Sequence, residues 1–120
     1  LVHFGFLASE AAYRALLGKA DMVLSTALHD FQGLSVLEGM AAGAVPIVPD
    51  RLAYPEYVPE AFRHGSNETD TTAEAASAAA LIGNLFAEPR PAVDTFRPDA
   101  YRVSRVLPRY ERAFSALLSS

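Results

Sequence analysis

The chain has 120 residues, of which 51% are hydrophobic and 20% charged, with a net charge of −4. That suffices for one domain with an ordinary core, and it offers no global attraction to nucleic acid or to an anionic membrane. The absence of cysteine excludes disulfides and thiolate chemistry, and no apolar run of about 18 residues exists to span a bilayer.

Residues 1–7 are a short apolar run containing His3 and Gly5, the pattern of a buried parallel strand. The run starts with Leu1 and has no basic lead-in, so it is no signal peptide, and the chain reads as an excised part of something longer. Ser9 caps a predicted helix to about Lys19, with Ala12, Leu16 and Leu17 on its apolar face. Residues 21–26 predict a second strand, 28–33 a loop, and 34–42 a helix stopped by Gly43. Residues 44–48 predict a third strand, in which Pro46 must sit where no ladder donor is needed. A proline-punctuated loop covers 50–59, and residues 60–64 suggest a short fourth strand. An Ala-rich helix is expected from Thr71 or Thr72 to Ala87, stopped by Pro89-Arg90-Pro91. The last helix should run from Pro98 to about Leu118, kinked or broken at Pro108.

Strands alternating with helices predict an α/β, Rossmann-like parallel sheet with flanking helices. The most informative stretch lies between the second and third strands, where a strand empties through a loop into a helix N-terminus. Free backbone N–H groups and the helix dipole converge there, which suits a phosphate. Asp30 and Glu38 flank that point. Carboxylates would repel a phosphate they touched and make better sense holding hydroxyl groups, and a nucleotide sugar is a diphosphate with hydroxyl-rich rings at both ends.

The run Asp30-Phe31-Gln32-Gly33-Leu34-Ser35-Val36-Leu37-Glu38, continued by Met40-Ala41-Ala42-Gly43 and by Tyr54-Pro55-Glu56, resembles the donor motif of retaining glycosyltransferases of the GT-B, group 1 (GT4-type) family. Asp30 replaces the usual Glu, and Ser35 stands where Pro is common. The resemblance implies that residues 1–120 are a single, partial donor-binding domain, the incomplete C-terminal half of such an enzyme. The acceptor domain and the first strands of the sheet would then lie upstream. An incomplete sheet leaves an unpaired edge, so self-association is expected.

By the same resemblance, Asp30 is the catalytic acid that holds the donor sugar near the reacting carbon, and Glu38 binds the ribose hydroxyls. Residues Phe31, Gln32, Gly33, Leu34 and Ser35 would offer backbone N–H groups to the diphosphate. His29 would sit beside the sugar, with Tyr54 and Glu56 on the rim. Each residue has a plainer reading too: Asp30 as a turn or cap residue, Glu38 as a helix-dipole acid, His29 as structural, and Tyr54-Pro55-Glu56 as a rigid turn. No metal and no cofactor are expected beyond the nucleotide-diphosphate sugar itself. His3 and His64 have no partners at metal-ligand spacing.

His29-Asp30-Phe31, Val45-Pro46-Ile47-Val48-Pro49 and Leu52 to Pro59 look most like one branch, the tRNA-queuosine α-mannosyltransferases, which move mannose from GDP-mannose onto queuosine in tRNA. Such an enzyme would be cytoplasmic and would have tRNA as partner. Arg102, Arg105, Arg109 and Arg112 recur along one side of the last helix. They suit either a solvated face or an RNA backbone. Two alternatives remain: a sugar-nucleotide epimerase of the same fold, and a non-catalytic nucleotide-binding or assembly module.

Overall fold

The computed structural model describes residues 3–87 and 98–119. Its elements are α1 (Glu10–Leu17), β1 (Met22–Leu24), α2 (Leu34–Ala41), β2 (Val45–Pro49), β3 (Arg63–His64), α3 (Thr71–Ala87) and α4 (Val103–Leu118). The strands form one open, parallel sheet in the order β1-β2-β3. With four α-helices around it, this is the Rossmann-like α/β arrangement that the alternating pattern predicts.

β2 is central and buried along its whole length, which is why it reads as a continuous apolar run. Pro46 is accommodated by the parallel ladder. Val45 N–H donates to Asp21 O and Ile47 O accepts from Ser25 N–H, both towards β1. The Pro46 nitrogen therefore faces the β3 side, ahead of the point where β3 begins pairing at Val48. Val36, Met40, Ile47, Val48, Tyr54, Val58 and Phe62 form the core. α2 rests on β1 and β2, while α3 rests on β2 and β3.

Several local expectations change. Residues 3–7 are not a strand, and Phe4 and Phe6 are 89% and 96% exposed. A strand needs a ladder partner, and among the described residues β1 pairs only with β2. The expected strand at 60–64 contracts to the two residues of β3, because Glu60–Phe62 coils into a 3-10 turn after Pro59. The expected helix start at Pro98 is a separate 3-10 turn, Pro98–Tyr101, and extended Arg102 divides it from α4. α4 runs through Pro108 without a break. Pro108 is the sixth residue of α4, so the ladder bond it forfeits is the one an N–H there would give to Ser104 O, and the helix continues past it. The helix stop at Pro89-Arg90-Pro91 lies outside the described residues.

Candidate functional site

Asp30 is half-buried at the end of the loop that leaves β1. Its Oδ1 accepts from the backbone N–H of Gln32 (3.2 Å) and of Gly33 (2.8 Å), and its Oδ2 accepts from the Tyr54 hydroxyl (3.1 Å). The Gly33 N–H, then the Gln32 N–H and the Tyr54 hydroxyl, hold the carboxyl below its ordinary range despite some desolvation. The turn reading of Asp30 is thus realised, and it leaves the carboxylate ionised at the mouth of α2.

Gly33 begins α2 with φ +64, a left-handed conformation. A Cβ there would lie 1.9 Å from the Tyr57 hydroxyl, which donates to Gly33 O at 3.3 Å. Burial pushes the Tyr57 phenol up, so it keeps the proton it donates. Tyr54 and Tyr57, three residues apart on and just after the 3-10 turn Tyr54–Glu56, therefore grip the two ends of the Asp30–Gly33 loop. Gln32 and Gly33 already give their N–H groups to Asp30, whereas those of Leu34 and Ser35 lie in the first turn of α2, where the helix itself supplies no acceptor.

Glu38 lies on the exposed side of α2, one turn beyond Ser35. Its Oε2 accepts from the Tyr13 hydroxyl at 2.8 Å, tying α2 to α1 and raising the pKa of that phenol. The residues around the start of α2 border two concavities. One, of about 440 Å³, is lined by His29, Asp30, Phe31, Gln32, Leu34 and Ser35. The other, of about 470 Å³, shares Phe31, Gln32 and Leu34 and adds Glu38, Glu56 and Tyr57. Its far wall comes from Tyr101, Arg102, Val106 and Tyr110. An edge-to-face contact between Tyr57 and Tyr101, with centroids 5.7 Å apart, brings that wall in.

Nine of the ten residues singled out from the sequence line these adjoining concavities or shape the loop between them. Phe31 is fully exposed, and His29 and Glu56 are exposed on the rims. Tyr54 differs: it is completely buried, lines neither concavity, and meets the loop through its hydrogen bond to Asp30 and its ring against Gly33. Sequence reasoning missed Ser25, Tyr57, Tyr13 and Tyr101. Tyr57 carried a faint signal, since it follows Tyr54 at helical spacing, whereas the Tyr13 and Tyr101 contacts are long-range and leave no local pattern.

Beside the site, Arg51 and Glu74 form a bidentate, buried ion pair, with nitrogen–oxygen distances of 2.6 and 2.8 Å. Arg51 also donates to Ala27 O and Ser66 Oγ, and Glu74 accepts from Asn67 N–H. The loops that follow β1, β2 and β3 are thereby locked together at the carboxyl ends of the parallel strands, the edge where such sheets bind ligands. Arg51 holds the Glu74 carboxyl down to about 2, with the Asn67 N–H adding to the effect.

The arginine stripe of α4 and its apolar side are both exposed. Val103, Leu107, Tyr110, Phe114 and Leu117 are 51% to 76% accessible. No described helix is long and apolar enough to cross a membrane.

No family model matches the chain. Over 60 residues it is 45% identical to a tRNA-queuosine alpha-mannosyltransferase of Drosophila melanogaster. The match covers 50% of this chain and 16% of that relative's length. The chain is therefore related to a glycosyltransferase, over a small part of that enzyme.

Proposed function

We propose that this chain is the donor-binding part of a retaining glycosyltransferase that takes its sugar from a nucleotide-diphosphate sugar. The observation that carries the reading is the setting of Asp30 and Glu38 in adjoining concavities on either side of the α2 N-terminus. The N–H groups of that first turn suit a diphosphate, and they would stabilise the negative charge that grows as the diphosphate departs. Glu38 would accept from ribose hydroxyls and Asp30 from a sugar hydroxyl, with His29 beside the sugar. The helix terminus does this work without a metal ion in this account.

The finer reading is transfer of mannose from GDP-mannose to queuosine in tRNA. It is supported by the name of the Drosophila relative and by the donor-motif residues described above. The arginines of α4, on an exposed helix bordering the larger concavity, fit a nucleic-acid acceptor. In this account, protein carrying the chain, incubated with GDP-mannose and queuosine-bearing tRNA, adds one hexose to queuosine by nucleoside mass spectrometry. No hexose addition by folded protein would refute the acceptor assignment.

One observation favours a second reading, a non-catalytic nucleotide-binding or assembly module. Both acids already accept hydrogen bonds from protein groups, Asp30 from its own loop and Glu38 from Tyr13. In such a module Asp30→Ala and Glu38→Ala would leave activity intact wherever the chain works.

A further inference from the structure

Tyr54 has a buried phenol hydroxyl that is paired at both of its near neighbours. Leaving such a group unpaired would cost on the order of 1–3 kcal/mol. Its oxygen is 2.7 Å from Ser25 Oγ and 3.1 Å from Asp30 Oδ2. An ionised carboxylate can only accept, so Tyr54 donates to Asp30 and Ser25 donates to Tyr54. The proton order is fixed from the end of β1 outward: Ser25, Tyr54, Asp30. Burial pushes the Tyr54 phenol up, which keeps that proton in place.

The consequence lies at the far end of the relay. Asp30 Oδ1 already accepts two backbone N–H groups, so its two lone pairs are taken. Oδ2 has one lone pair on Tyr54 and one left. We propose that Tyr54, with Ser25 behind it, is a positioning residue that turns Asp30 so that one remaining lone pair faces the concavity as the acceptor for a sugar hydroxyl. This rests on the donor-site reading of Asp30. The other titratable or charged groups around Asp30 and Tyr54 are His29 in the same loop, Tyr57 after the 3-10 turn and Arg51 behind Tyr54. None of them donates a hydrogen bond to Asp30 among the described residues.

Tyr54→Phe keeps the ring in the core and removes only the hydroxyl. In the 120-residue chain, the pH titration of the Gly33 amide resonance reports Asp30 ionisation without any ligand, and GDP-mannose titrations report the site. Tyr54→Phe should move the Gly33 midpoint upward and weaken GDP-mannose binding about three- to tenfold, the worth of one ordinary hydrogen bond. The same substitution made on top of Asp30→Asn should cost no further affinity, because the residue through which Tyr54 acts is already gone. Ser25→Ala, which leaves Tyr54 in place, should move the midpoint in the same direction by less, and it keeps the test alive if Tyr54→Phe fails to fold. An unmoved midpoint, or an equal loss of affinity in the Asp30→Asn background, overturns the proposal. A midpoint that moves in a chain that binds no GDP-mannose would leave Tyr54's hold on Asp30 standing and refute the donor-site reading instead.

Discussion

Gly39 is where a missing side chain decides the packing. A Cβ there would lie 2.9 Å from Cβ and Cγ1 of Val23, so α2 can press its backbone onto β1 only because that atom is absent. The contact sets the height of α2 over the sheet and with it the position of Glu38, which lies next to Gly39 on the helix. Gly39→Ala should therefore destabilise the fold by about 1–3 kcal/mol through overpacking, read as a lower urea midpoint. Val23→Ala in the same chain should recover part of that loss, since it removes the atoms in the way. A Gly39→Ala chain as stable as the parent would show that α2 is free to lift. Gly33 is constrained twice over, by its left-handed backbone and by the Tyr57 hydroxyl where a Cβ would sit.

Among the elements, α3 reaches the loops beside the site through Glu74, and Ser77 accepts from Gly65 N–H after β3. Asp70 caps the helix by accepting from Ala73 N–H, and one turn in, Glu74 reaches Arg51 and the loops at the strand ends. Glu74 is held at about 2 in the folded chain, against an ordinary value of 4.5. A carboxyl lowered on folding stabilises the fold at pH values above its unfolded pKa, and that contribution disappears as pH falls. Stability should thus decline as pH drops from about 4.5 towards 2, with Asp30 adding a decline of the same sign. Urea midpoints measured across that range test this: Glu74→Gln should be less stable at neutral pH and should show a shallower acid decline. A parallel curve for Glu74→Gln would place the acid sensitivity elsewhere. The sequence announced α3 through its alanines, but it carried no sign of this network. Arg51 and Glu74 are 23 positions apart, and an ion pair between loops and helices follows no period.

At the scale of the molecule, the alternation of apolar runs and helical faces was enough to predict the parallel sheet, because β2, α2 and α3 each carry a local pattern. What the pattern misread were segments whose state depends on neighbours. Residues 3–7 have the composition of a strand but no ladder beside them, and α4 has an apolar side with no described element packed over it. Asp30 and Glu38 could be picked out in the sequence on either side of a helix start, while the tyrosines that bond those acids come from α1 and from the turn after β2. Among the described residues β1 pairs on one side only and α4 is exposed, whereas the loops at the carboxyl ends of the strands are tied together by Arg51 and Glu74.

The central claim is that this start of α2 holds a nucleotide sugar, with Glu38 accepting from the ribose. Calorimetric titration of the chain with GDP-mannose, beside Glu38→Ala, tests it most directly. The account predicts saturable binding that Glu38→Ala weakens by about 1.5–3 kcal/mol, the loss of charged hydrogen bonds. Absence of binding to the folded chain, or equal affinity for the Glu38→Ala form, would contradict it.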